Sequence, residues 1–191
     1  MWTEEQMIGY LKNNIKEKRL KHCLRVKDTA EKLAKIYNVD KDKAAIAGLM
    51  HDLAKEKTSD EVITLCKKEG YNVDPIVGSN LNTLHGAASA IIARDLMGVT
   101  DEDTLNAMAY HTIGRKNMST LEKVIYLADY IEPFRDFDGV EQLRILAQES
   151  LDEAMLKAFD NTIKFVISKG ELVHIGTIEA RNFILLQKIN K

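Results

Sequence analysis

The chain has 191 residues, 27 basic and 29 acidic side chains, a net charge of −2 and a 45% hydrophobic composition. That is long enough for one domain with its own core and too evenly charged for the basic field that nonspecific nucleic-acid binding requires. Two prolines and ten glycines exclude collagen-like and disordered character, and no apolar run approaches the roughly 20 residues of a membrane span.

The opening "MWTEEQMIGY" is acidic and lacks the positive-then-apolar order of a secretory signal, which predicts a cytoplasmic protein. Thr3 and Gln6 have the spacing of a helix-starting capping box, as do Thr58 and Glu61, Ser119 and Glu122, and Ser150 and Glu153. Leu20, Leu24, Leu33 and Tyr37 recur at helical spacing and fit one face. The next apolar run contains "GLMHDLAKE", which sets His51 and Asp52 side by side inside a helix that otherwise reads as buried. Asp74 before Pro75 reads as an N-cap with proline in the first turn. Gly70, Gly98 and Gly170 each follow a periodic segment, where a left-handed helix end favours glycine. Leu151, Met155, Ala158, Phe159, Ile163 and Val166 define a late amphipathic helix. "ELVHIG", residues 171–176, is the best strand candidate and is short. Cys23 and Cys66 fall on helical patterns without metal or redox spacing and read as packed thiols. No repeat or composition shift divides the chain. The predicted fold is all-α, one domain of about nine or ten helices.

Four of the five histidines, His22, His51, His85 and His111, lie in or at the end of different predicted helices. A further helix, "LEKVIYLADYIEP", carries Asp129 among Leu127, Ala128 and Ile131. Each alone reads as an ordinary hydrogen-bonded side chain. Together they predict convergence, because buried imidazoles and carboxylates satisfy one another through a divalent metal, and these ligand types suit iron, manganese and zinc. His51 and Asp52 project about 100° apart on a helix and can flank one ion. Lys55, four residues beyond His51, would share its face and suits an anionic substrate better than a metal.

His22, then His51–Asp52, then Asp129, all on helices, resembles the HD-domain metal-dependent phosphohydrolase superfamily. His85, His111, "YHTIGRKNMS" and "ADYIEPFR" resemble its YqeK-type branch, the symmetrical bis(5'-nucleosyl)-tetraphosphatases, over a stretch from Arg19 to "GTIEARN". The resemblance implies a single HD-type domain over residues 1–191, an HD core at about 18–135, and C-terminal helices at 140–191 packed on it. It implies a metal held by His22, His51, Asp52 and Asp129, with iron expected, manganese, cobalt, zinc or magnesium as alternatives, and one or two ions. His85 and His111 would lie on the open side, either binding a second ion with Asp52 bridging or meeting the substrate phosphates. Arg19, Lys55 and Arg135 would hold phosphates, and Leu172, Val173, His174, Ile175, Gly176 and Thr177 would line the nucleotide pocket. Phe134 departs from the small or polar residue common in relatives and changes the local shape beside Arg135.

The implied reaction is hydrolysis of diadenosine tetraphosphate to two ADP. A metal-activated water and basic side chains suit it, with Arg115 or Lys116 of "HTIGRKNMS" as additional contacts. The alternatives are an HD phosphohydrolase acting on a nucleoside monophosphate or guanosine alarmone, and a nucleotide-sensing module with a structural metal. The expected partner is a nucleotide, with no nucleic acid and no membrane; a homodimer is left open.

Overall fold

The computed structural model describes residues 1–73 and 83–189. Asp74 and Pro75, read above as a helix start, lie outside the described residues. Within them are ten α-helices and no strand. These are α1 (Glu4–Asn14), α2 (Glu17–Ile36), α3 (Lys41–Met50), α4 (Ser59–Lys68) and α5 (His85–Met97), then α6 (Glu102–Ala109), α7 (Thr120–Ile131), α8 (Val140–Glu149), α9 (Leu151–Ser168) and α10 (Ile175–Ile189).

The helix starts follow the sequence signals. Thr3 with Gln6, Thr58 with Glu61 and Ser119 with Glu122 form reciprocal capping boxes, each satisfying backbone N–H groups that the first turn would leave unpaired. At α9 only half of the box forms: Ser150 accepts from the Glu153 N–H, while the Glu153 carboxylate is turned to Lys188 in α10. Gly70, Gly98 and Gly170 all adopt the left-handed conformation expected of helix ends.

Apolar burial then fixes the packing. The inward stripe of α2 is centred on Cys23, Val26, Ala30 and Leu33, with Leu20, Leu24 and Tyr37 as its half-buried flanks. Helix α3 packs against α1, α2, α5, α6 and α7, which makes it the centre of the bundle. Its contact with α2 requires Gly48, since a Cβ there would sit 3.0 Å from Lys27 Cα and 3.3 Å from Ala30 Cβ. Helices α8 and α10 pack on α9, and α9 packs in turn on α7. Both cysteines are buried in this core, and burial pushes the Cys66 thiol up to about 11.

Two local readings are corrected. "ELVHIG" forms no strand: residues 171–174 are irregular and Ile175 and Gly176 begin α10. Helix α3 ends at Met50, so His51 is its C-cap and Asp52 lies beyond it. From there the backbone tightens into three-residue turns, Leu53 N–H to Met50 O, Lys55 N–H to Asp52 O and Lys57 N–H to Ala54 O. Such turns have about 3.0 residues each, so the four-residue spacing no longer by itself puts Lys55 on the face of His51.

Candidate metal centre

The bundle brings His22, His51, Asp52, His85, His111 and Asp129 to one place. His22 projects from the buried side of α2, His51 caps α3 and Asp52 follows it, His85 opens α5, His111 follows α6, and Asp129 comes from α7. The approach of α5 to the end of α6 depends on Gly86, where a Cβ would lie 2.7 Å from Met108 O and 2.9 Å from His111 Nδ1.

Asp52, 3% exposed, divides the cluster. Its Oδ2 lies 3.6 Å from His22 Nε2 and 3.5 Å from His51 Nε2. Its Oδ1 lies 2.9 Å from His85 Nε2 and 3.7 Å from His111 Nε2. On the Oδ2 side, Asp129 Oδ1 is 3.0 Å from His22 Nε2 and 3.8 Å from His51 Nε2. The two pairs of ring nitrogens also face each other, His22 to His51 at 3.3 Å and His85 to His111 at 3.1 Å.

The donor set fits a metal. Ligand atoms bonded at about 2.1 Å to one ion lie roughly 3 to 3.4 Å from one another, the spacing of His22 Nε2 from His51 Nε2 and from Asp129 Oδ1, while the third pair, His51 and Asp129, is wider at 3.8 Å. Three of the imidazoles are oriented by an acceptor on the far nitrogen. His51 Nδ1–H donates to Gly48 O at 2.8 Å, His111 Nδ1–H to Met108 O at 2.7 Å, and His22 Nδ1–H to Glu132 Oε1 at 3.2 Å. Each is left with an Nε2 lone pair aimed inward, as in histidine–metal sites. His22, His51 and Asp129 form one group able to hold a divalent ion, and His51, Asp52 and His111 a second. His85 is the exception. Its Nδ1 faces Lys55 Nζ at 3.5 Å, a donor rather than an acceptor, which favours the proton on Nε2.

Burial works to raise both carboxyls, but the histidines around Asp52, and His22, His51 and Arg135 around Asp129, hold them well below the ordinary carboxylate range. Burial, reinforced by the neighbouring His51 and His85 rings, pushes His111 down to about 3 and keeps it neutral. Burial also lowers the Lys55 ammonium.

Cations cover the mouth. Arg19 Nη1 donates to Asp52 Oδ2 at 2.6 Å, and Arg135 donates from Nη2 to Asp129 Oδ1 at 2.5 Å and from Nε to the Asp129 carbonyl at 2.8 Å. Both side chains stay partly exposed, with donors left over for a bound anion. Arg115 is turned away: its guanidinium is held by Glu122 at 2.6 and 3.1 Å. Lys116 lies over the Phe183 ring.

The 172–177 segment is split. Thr177 is buried and its Oγ1 donates to Ile113 O at 2.8 Å, which seats the start of α10 on the turn after His111, and Gly176 N–H donates to His174 Nδ1 at 3.0 Å. Val173 and His174 are half-buried, while Leu172 and Ile175 face solvent.

Glu132 is the residue that sequence reasoning missed. It is 2% exposed and accepts from His22 Nδ1–H, from Arg25 Nε–H at 2.6 Å and from Phe134 N–H at 2.8 Å. Burial would raise its carboxyl, but these donors hold it below the usual range. The available signal was its position three residues after Asp129, at the C-cap that ends α7.

A model of the HD domain family matches residues 19–133. The chain is 40% identical over 179 residues to a symmetrical bis(5'-nucleosyl)-tetraphosphatase of Halalkalibacterium halodurans, covering 93% of this chain and 95% of that one. It is 36% identical to the protein of the same name from Bacillus subtilis, covering 96% and 98%. The crystal structure of a predicted HD superfamily hydrolase involved in NAD metabolism from Clostridium acetobutylicum superposes with a TM-score of 0.95 at 52% identity, covering 98% of this chain and 99% of that one.

Proposed function

The chain belongs to the HD domain family, and on that footing we propose that it is a metal-dependent hydrolase of dinucleoside polyphosphates, cleaving diadenosine tetraphosphate symmetrically into two ADP. The observation that carries this reading is Asp52, whose two oxygens face separate histidine pairs beneath a mouth lined by Arg19 and Arg135. His22, His51, Asp52 and Asp129 would hold the first ion, with iron the expected metal, and His111 would join Asp52 toward a second. A bound divalent ion supplies a water of lowered pKa and a Lewis acid for the phosphoryl oxygen.

The chain's own groups do the rest. Arg19 and Arg135 fix the carboxylates through some of their N–H groups and offer the remainder to phosphate oxygens, a geometry suited to the guanidinium fork. His85 would present an Nε2–H that can pass to the oxygen of the departing ADP while the Lys55 ammonium, 3.5 Å from Nδ1, returns a proton to the other nitrogen, so that the ring stays neutral. The buried walls exclude water around the reacting phosphates and strengthen each of these contacts. Thr177 holds the 172–177 segment beside His111 as one wall of a nucleoside site. No described helix is long and apolar enough to cross a membrane.

Chromatography of the products from diadenosine tetraphosphate tests the reading. ADP alone is expected. AMP with ATP, or released inorganic phosphate, would assign the chain to a different phosphohydrolase reaction.

A further inference from the structure

The established features leave one conspicuous side chain unused. Phe134 is 76% exposed, in a chain whose other large aromatics near the site are covered. A single exposed apolar residue is ordinary on any surface, so exposure alone decides nothing. Its surroundings do. Phe134 stands at the rim of an open cleft of about 840 Å³ lined by His22, three carboxylates (Glu17, Glu56 and Glu132) and six cations: Lys16, Lys18, Arg19, Lys21, Arg25 and Arg135. That cleft is continuous with the metal centre, because His22, Arg19 and Arg135 belong to both.

The ring is also held. Pro133 precedes it and restricts the backbone. The Phe134 N–H donates to Glu132 Oε2 at 2.8 Å. The Arg25 guanidinium, itself bound by Glu132 through Nε and Nη2, lies 4.3 Å from the ring centroid over one face. One carboxylate thus fixes His22, the guanidinium and the aromatic ring in a common frame. This ordering of an exposed side chain costs conformational entropy that burial does not offset.

Resting on the proposed dinucleoside-polyphosphate activity, we propose that Phe134, backed by Arg25, is a stacking platform for the second nucleoside base of the substrate. A substrate with a nucleoside at each end, cut in the middle of its phosphate chain, places one base on each side of the reacting centre. The 172–177 segment serves one side, through the turn after His111. The cleft on the His22 side holds the other diphosphate on its cations and presents one flat apolar surface where that diphosphate's base would fall. Phenylalanine has no hydrogen-bonding edge, so the platform takes adenine and guanine alike; base choice is made elsewhere.

Steady-state kinetics on the metal-loaded full chain, wild type against Phe134→Ala, Phe134→Leu and Phe134→Trp, test this. Loss of base stacking weakens binding about five- to a hundredfold, so KM for diadenosine tetraphosphate should rise by that factor in Phe134→Ala and Phe134→Leu. Phe134→Trp should restore it, and inhibition by inorganic tripolyphosphate, which has no base, should be the same in all four proteins. A KM within about twofold of wild type in Phe134→Ala, or an equal change for tripolyphosphate, overturns the platform while leaving the hydrolase reading intact. A direct binding readout separates the two claims further. Trp2 is the chain's sole tryptophan, so the emission added by Phe134→Trp should be quenched by ADP even in protein that turns over no substrate. An indole indifferent to saturating ADP overturns the platform.

Discussion

The two sides of Asp52 are built from the same residue types and behave differently. On the Oδ2 side, His22 and His51 each donate Nδ1–H to an acceptor and point a lone pair at Asp129 and Asp52. On the Oδ1 side, only His111 is arranged that way, while His85 has Lys55 at its far nitrogen. The lesson is that the partner on the outer nitrogen, rather than the presence of histidine, sets whether an imidazole is a ligand or a proton carrier.

The largest effect belongs to Asp52, which joins both sides. Asp52→Ala should strip bound metal and reduce turnover by on the order of 10³-fold or more, while the helical circular dichroism persists. Wild-type metal content in this variant would remove Asp52 from the centre. Next come the two histidines of the Oδ1 side, on which the contrast is sharpest. His111→Ala should lower metal content, whereas His85→Ala should keep the first ion and lose roughly 10²-fold in kcat, the usual contribution of a positioned acid or base. Metal analysis beside single-turnover rates distinguishes them; identical losses in both would erase the proposed difference.

The sequence made much of this legible, for a physical reason. Histidines and an aspartate in apolar helical runs are costly unless they meet, so their convergence could be read from burial patterns alone. The helix count and three of the four capping boxes were legible because their determinants are local. What escaped was non-local or depended on where a helix stops. Arg25 and Glu132 are 107 positions apart and nothing in either segment announces the pair. Lys55 was placed by extending α3 past Met50, where the chain leaves the α-helix and sends the lysine to His85 instead. The supposed strand at 171–176 rested on a short alternation, and the docking of Thr177 on Ile113 decides that segment's conformation.

Glu132→Gln probes the support of the Oδ2 side. It keeps the shape of the side chain and removes the charge that orients His22, so metal affinity or activity should fall about ten- to a hundredfold. An unchanged metal affinity and rate would reduce Glu132 to a structural partner of Arg25. The smallest of these effects is expected at the mouth. Charge-assisted contacts contribute about 1.5 to 3 kcal/mol, but the Arg135 side chain is 40% exposed and already bound to Asp129, so solvent screening places it at the lower end. Arg135→Ala should therefore cost about tenfold in kcat/KM with metal content retained, and Arg135→Lys should recover part of it. Wild-type kinetics in Arg135→Ala would return this residue to the role of a surface cation.

Dependence of hydrolysis on an ion held around Asp52 is read from a titration of metal-depleted protein with divalent ions, bound metal and turnover of diadenosine tetraphosphate being measured on the same samples. Turnover should rise in step with occupancy from a negligible starting rate and vanish again on chelation. Full turnover by protein shown to be metal-free would contradict the account.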